Sequence, residues 1–416
     1  MNTNQINTKL FFKKSIANMS YGLLIIMIWM RDVILPYSRG VVKRLPIVGP
    51  YAYHIFAAIW CVVVVASIPV IIKKLRFSDY IFTTAVVIVY ALNYIFFPNN
   101  EEALNALLSG LLLKVFPLYL IGRTLDIKKH SKQLYHISCI TIIVMFAFIV
   151  LYNDPSTSNT KNYMHSAFIM LPHLCMVILY TLNKVNFYNI FVMILGIVLM
   201  FSFGCRGAVG CTLLFLCINV LFVKKFKHPF VSYSIVFVAS TFIVVYFRQI
   251  LHFIADIAKA LHMSTRVIET AISGELFESA GRDVLTEKII PIINENWLFG
   301  AGIGADRIHL RSYVHNIFLE FLLNFGVIIG TFLFLAVIFV IIKAIKQSPT
   351  TEERSYVLVL SVSGFAVLFL SSSYLEWSGF FFMLGYCMSI ISQKKKKFLI
   401  RGKYEKANKI ADHKVN

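Results

Sequence analysis

The sequence predicts an all-α polytopic membrane protein of about 12 transmembrane helices, with one large external loop that carries amphipathic helices. Three observations predict it. The chain of 416 residues is 58% hydrophobic and only 14% charged, with a mean hydropathy of +0.74, where soluble domains are about half apolar and a quarter charged. Apolar runs recur that are long enough, or nearly so, to cross ~30 Å of hydrocarbon. The basic residues fall on alternate loops, as the positive-inside rule requires.

The apolar runs lie at about 18–37, 51–72, 79–97, 103–122, 134–152, 163–181, 186–204, 206–223, 230–247, 314–345, 356–372 and 379–393. Lys9, Lys13 and Lys14 precede the first run in the manner of a signal peptide. It lacks a small-residue cleavage site and runs straight into Arg31 and Asp32, so it is read as a span. Residues 1–247 then form a bundle of nine spans and 313–393 carry the last three. Residues 394–416 are a basic cytoplasmic tail.

Between these spans lies the one large hydrophilic excursion, 248–312. Ile250, Phe253, Ile254, Ile257 and Leu261 recur there at helical spacing. A second helix is expected from about Gly281 to Asn294, with Val284, Leu285, Ile289 and Ile292 on its apolar side. Helices of this kind lie on a membrane surface or cap a bundle. A loop of this length is more often functional than idle.

The net charge of +20 invites a nucleic-acid reading, but its distribution argues against one. Of the 40 Lys and Arg, 26 sit in the N-terminus, Lys73–Arg76, Arg123–Lys132, Lys184, Lys224–Lys227, Lys343–Arg354 and the tail from Lys394. The opposite side is close to neutral. Both termini are therefore placed in the cytoplasm, and Lys394–Lys397 is read as an anchor on anionic lipid. Arg39, Lys43 and Arg44 break the pattern on an external loop, either as a local exception or as a rim that attracts an anion. The seven cysteines lie in or beside spans without C-x-x-C spacing and are read as small apolar residues. The chain has no visible internal repeat.

Ionisable groups at the membrane boundary are costly, so each is a candidate site. Arg206, in Phe-Gly-Cys-Arg-Gly-Ala, sits between two closely spaced spans. It either snorkels to head groups or forms a fork for phosphate, which arginine suits better than lysine. Arg282 opens the second loop helix, and beside Arg206 it would complete an anion clamp. His315 begins a helical run after Arg311-Ser-Tyr-Val, where a helix N-terminus disfavours imidazolium. A neutral imidazole can take a proton from a hydroxyl. A satisfied structural histidine is the plain alternative.

Asn316 and Glu320, four apart on one face, and the rim residues Arg311 and Glu376 are candidate supports. Gly300-Ala-Gly-Ile-Gly304 is not followed by Lys-Ser/Thr, so it is read as a flexible turn and not a nucleotide loop. With no H-E-x-x-H, paired metal-binding carboxylates or Gly-x-Ser-x-Gly, a mechanism without metal or cofactor is expected.

The layout resembles the O-antigen polymerase and ligase family (Wzy-type polysaccharide polymerases and their ligase relatives). The likeness is carried by Cys205-Arg206-Gly207-Ala208, by Gly281-Arg282, and by Gly300-x-Gly302 followed by His315-Asn316-x-x-Leu319-Glu320, Gly326 and Gly330. Cys205 stands where the family has Ser or Thr. The resemblance implies a metal-free glycosyltransferase of type-C-like architecture in a bacterial inner membrane, its site facing the periplasm. The donor would be an oligosaccharide on undecaprenyl diphosphate, held by Arg206 and Arg282, with His315 as general base. Membrane lipids, and a chain-length regulator protein, would be the partners, with no nucleic acid.

The compact Leu-Phe-Gly-x-Gly segment and the Tyr-Val-His-Asn-x-Phe-Leu-Glu form look more like a polymerase than a ligase, which would transfer to lipid A–core. A transporter or flippase of lipid-linked sugars is the non-enzymatic rival. Transporters tend to carry repeats and mid-membrane acids, which this sequence does not display.

Overall fold

A computed structural model describes residues 22–26, 29, 51–152, 160–203, 205–223, 241, 245–260, 265–273 and 282–393. They are helical, with no strand among the described residues. Four of the described helices are long and apolar enough to cross a membrane: Phe77–Phe96, His165–Asn183, Arg206–Val223 and Ile317–Gln347. Phe187–Ser202 and Ser378–Gln393 are apolar but shorter. The expected spans at 18–37 and 230–247 fall largely outside the described residues. Arg39, Lys43, Arg44, Gly281 and the tail from Lys394 lie outside them altogether.

Two expected spans take other forms. The run at 103–122 is Glu101–Gly110, a π-helical turn Leu111–Val115, and Phe116–Thr124. The run at 356–372 stops early: Thr351–Gly364 gives way to a 3-10 turn, Ala366–Phe369. Ser371, Ser372 and Ser373 follow, and serine competes with the helix through local hydrogen bonds.

The chain divides into two compact units. Met1–Lys74 with Asp126–Val284 form the first, and Leu75–Leu125 with Leu285–Asn416 form the second. In the first unit the central element is Thr160–Asn183, whose apolar window is 72% buried. Ile127–Tyr152, Phe187–Ser202 and Arg206–Ile218 pack against it. Ile142, Met145, Leu171, Cys175, Leu199 and Phe215 are buried in this unit. His173 is fully enclosed there, beside Ser138 Oγ at 3.3 Å and edge-on to Trp29. All seven cysteines are free, and five are buried.

Phe247–Ala260 is the first expected amphipathic helix. A second, Arg266–Ser273, went unpredicted. They pack on each other and on Phe187–Ser202, burying Leu251, Ala255, Ile268 and Ala271.

In the second unit an ion pair is enclosed at one end of Phe77–Phe96. Asp79, in its first turn, accepts from Arg123 Nε at 2.6 Å, from the Arg76 amide at 2.8 Å and from the Tyr119 hydroxyl at 3.2 Å. Arg123 also donates to Ser392 Oγ at 2.9 Å, and Arg76 donates to the Ser392 carbonyl at 2.7 Å. Both members of the pair are nearly inaccessible. Removing one leaves the other as a buried, uncompensated charge, which costs about 3–5 kcal/mol. Arg123→Ala is therefore expected to lower the melting temperature in detergent markedly, while the double replacement Asp79→Leu/Arg123→Leu recovers most of the loss. A single variant as stable as wild type would refute this account.

The expected span 314–345 is not one rod. Ile317–Gln347 is interrupted at Gly326, whose φ of 78° and ψ of 170° no helix accommodates. The Phe318 and Phe334 rings lie 4.9 Å apart, where an unbroken helix would separate them by about 24 Å. The arm 317–325 thus folds back on 327–347, and the latter alone is about 30 Å long.

Helix breaks free backbone groups that must be satisfied. Here the loop before the helix supplies the partners. Val327 N–H donates to the Trp297 carbonyl at 2.7 Å, and Ala301 N–H to the Leu323 carbonyl at 2.7 Å. The glycine turn 300–304 is accordingly pinned, not flexible. Asn100 Nδ2 donates to the Ala301 carbonyl at 2.8 Å, and Ile303 N–H donates to Asn93 Oδ1 at 2.7 Å. Ile289, Ile293, Ala305, Val314 and Leu323 close a small core beneath it.

Candidate functional site

Arg206 and Arg282 belong to the first unit. Each is the first residue of a helix, Arg206–Ile218 and Arg282–Glu295. Helix N-termini present unpaired N–H groups and a partial positive charge, so a cation there does nothing for helix stability. Burial pushes the Cys205 thiol up, and the Ala208 and Gly207 amides, then Arg282 and Arg206, oppose that rise. A guanidinium beside a helix N-terminus is suited to binding an anion.

Cys205 itself is the N-cap of its helix. Ser or Thr, which the resemblance would place here, would cap in the ordinary way. The departure therefore falls on a capping position.

The other candidates belong to the second unit. Beyond the pinned glycine turn runs a short helix, Ala305–Leu310. Asp306 on it is wholly buried and ion-paired with Arg307 Nη1. Burial raises the Asp306 carboxyl above its ordinary range, and Arg307 opposes that rise. Arg307 Nη2 lies 3.3 Å from Glu376 Oε2, and its guanidinium carbon stands 5.6 Å from the centre of the Tyr313 ring. Tyr313 in turn stacks on His315, with ring centres 4.1 Å apart. A ladder of contacts thus runs from Asp306 through Arg307 and Tyr313 to His315, with Glu376 on its flank.

His315 is not the start of the helix, as the sequence suggested. It precedes the N-cap Asn316 and has φ 58°. Arg311, at the other end of the same loop, has φ 51°. Non-glycine residues pay about 1–3 kcal/mol for such conformations, which cluster at active sites and ligand clamps.

Asn316 and Glu320 do not act on each other as side chains. Asn316 Oδ1 caps the helix, accepting from the amides of Phe318 at 3.0 Å and Leu319 at 3.3 Å. Glu320 is fully buried and accepts from the Ser373 hydroxyl and, at 3.4 Å, from the Tyr374 amide. Asn324, one turn on, donates to the Tyr374 hydroxyl at 3.0 Å. Glu320 therefore ties the folded-back arm to the loop that carries Glu376.

The structure places Arg206 and Arg282 each at a helix start, links His315 to Glu376 only through Tyr313 and Arg307, and leaves Arg311 exposed at its turn. Sequence reasoning missed Asp306, Arg307, Tyr313 and Ser373. Asp306 and Arg307 were ordinary members of a polar loop, and only the order imposed by the glycine turn sets them apart. Among the described residues, no group of three or more His, Cys, Asp or Glu gathers as a metal site. The chain matches no family model, no curated protein and no solved structure. What stands is an all-helical protein with several helices able to span a membrane.

Proposed function

We propose that the protein is a metal-independent membrane glycosyltransferase that polymerises surface-polysaccharide repeat units carried on undecaprenyl diphosphate. The observation that carries this reading is that Arg206 and Arg282 each open a helix, where unpaired N–H groups beside a guanidinium suit an anion. A lipid diphosphate is the leaving group that such a pair would hold. In the step proposed, the acceptor hydroxyl gives its proton to His315 and its oxygen bonds to the anomeric carbon. The bond from that carbon to the diphosphate breaks, and the electron pair leaves on the diphosphate oxygen. Arg206 and Arg282 stabilise that charge, a contribution of several kcal/mol in comparable sites.

The test is deletion of the gene in its host, followed by gel analysis of surface glycolipids. Core bearing one repeat and no ladder supports a polymerase. Core without any repeat points to the ligase reaction, transfer to lipid A–core, and an unchanged ladder refutes both. Arg206→Ala and Arg282→Ala are each expected to shorten or erase the restored ladder, by roughly 10²–10³ in rate. Lysine at either position should recover only part, because it lacks the planar fork.

Transport of lipid-linked sugars is the second reading, favoured by one observation. A helix broken at Gly326, with buried Glu320 and Asn324 on its short arm, is a device that transporters use at their binding sites.

A further inference from the structure

The long arm 327–347 carries an exposed apolar stripe. Ile328, Phe332, Leu335, Phe339 and Ile342 stand exposed at alternating steps of four and three, which is one face of a helix. Water does not tolerate so long an apolar surface, and on a helix able to cross a membrane such a face is turned to lipid.

The two ends of the stripe differ. One end carries Lys343, whose Nζ lies 5.1 Å from the centre of the Phe339 ring, and Lys346 in the last turn. Lysines there lay their stems on apolar surface and hold their charges among head groups. The other end carries no charge. The turn 297–300 is fastened to it instead. The Trp297 carbonyl accepts from Val327 N–H at 2.7 Å, and Gly300 N–H closes the turn on the Asn296 carbonyl at 2.8 Å. Gly326 lies so close to the Leu298 carbonyl that no side chain fits between them.

This turn presents three large apolar side chains in succession: Trp297 is 54% exposed, Leu298 40% and Phe299 70%. Asn294, Glu295 and Asn296, just before them, are exposed as well. A change from polar to aromatic within one turn suits the membrane–water boundary. There a tryptophan ring lies against acyl chains while its N–H stays among head groups. The length agrees. Val327 to Lys346 measures about 28 Å along the helix, close to the ~30 Å of hydrocarbon in a bilayer. With the lysines at one boundary, the turn falls at the other.

We infer that Trp297, Leu298 and Phe299 form a lipid anchor. It inserts into the membrane interface at the end of helix 327–347 and sets the depth of the loop that leads to His315. The inference stands apart from the reaction proposed above and rests on the helix crossing the membrane.

The experiment uses the full chain in phosphatidylcholine nanodiscs whose lipid is brominated either near the head group or at the chain ends. Subtracting the fluorescence of Trp297→Phe from that of wild type isolates Trp297 from Trp29, Trp60 and Trp377. The isolated emission is expected to lose much of its intensity to the shallow bromines, less to the deep ones and little to aqueous iodide. If Trp297→Phe folds poorly, Phe299→Trp on the wild-type background gives the same reading as an added signal. Quenching by iodide and not by bromine puts the turn in water and overturns the anchor. Shielding from both puts protein over it, a second copy or another chain, and overturns the anchor equally. Stronger quenching by the deep bromines than by the shallow ones removes it from the interface.

Discussion

His315→Ala is expected to erase the polysaccharide ladder while the protein accumulates at its normal level. A positioned general base contributes about 10²–10⁴ in rate. The side chain is only partly buried, and its backbone sits at φ 58°. Alanine therefore removes little packing, and the expected loss is of chemistry, not of fold. Restoring the gene as His315→Ala in the deleted host and running the glycolipids gives the answer. A full ladder with wild-type protein levels would remove the catalytic assignment and return transport to the front. His315→Gln, which keeps a polar planar group but cannot take the proton, should behave like alanine.

The second large effect falls on the backbone. At Gly326 an added Cβ would meet the Leu298 carbonyl oxygen at 2.3 Å and the Trp297 carbonyl at 2.8 Å. Its φ of 78° with ψ of 170° lies in a region that is essentially glycine's alone. Strain and overpacking together come to roughly 3 kcal/mol or more. Gly326→Ala is expected to yield little folded protein by detergent size-exclusion chromatography. Gly110, where nothing lies within 4 Å of an added methyl and the backbone is helical, is the control. Gly110→Ala should be neutral or slightly stabilising. Equal yields for the two variants would show that the break at Gly326 is not what holds the folded-back arm.

Much of the organisation was legible in the chain. Phe77–Phe96 and Arg206–Val223 fall within a few residues of the expected spans, because a long apolar stretch has few ways to satisfy its backbone except as a helix. Phe247–Ala260 was visible from the spacing of Ile250, Phe253, Ile254 and Ile257. Arg282 was read as opening the second loop helix, and it does. Arg266–Ser273 was missed because it is only 8 residues long, about two turns, too short for its apolar repeat to stand out.

The fold-back at Gly326 and the ladder from Asp306 to His315 were not legible. Hydropathy reads 314–345 as one continuous run, since a break costs no polar residue when Trp297 and Ala301 supply the hydrogen bonds from elsewhere. Arg307 looks like any loop arginine until Asp306, Tyr313 and Glu376 surround it.

By itself the sequence determined that this is an apolar helical protein with charged residues at its boundaries, because burial and helical period are written locally in residue order. Only the tertiary structure decided which charges share a partner, which glycine breaks a helix, and which tyrosine stands between an arginine and a histidine. Those depend on contacts between residues distant in the chain, and no local pattern encodes them.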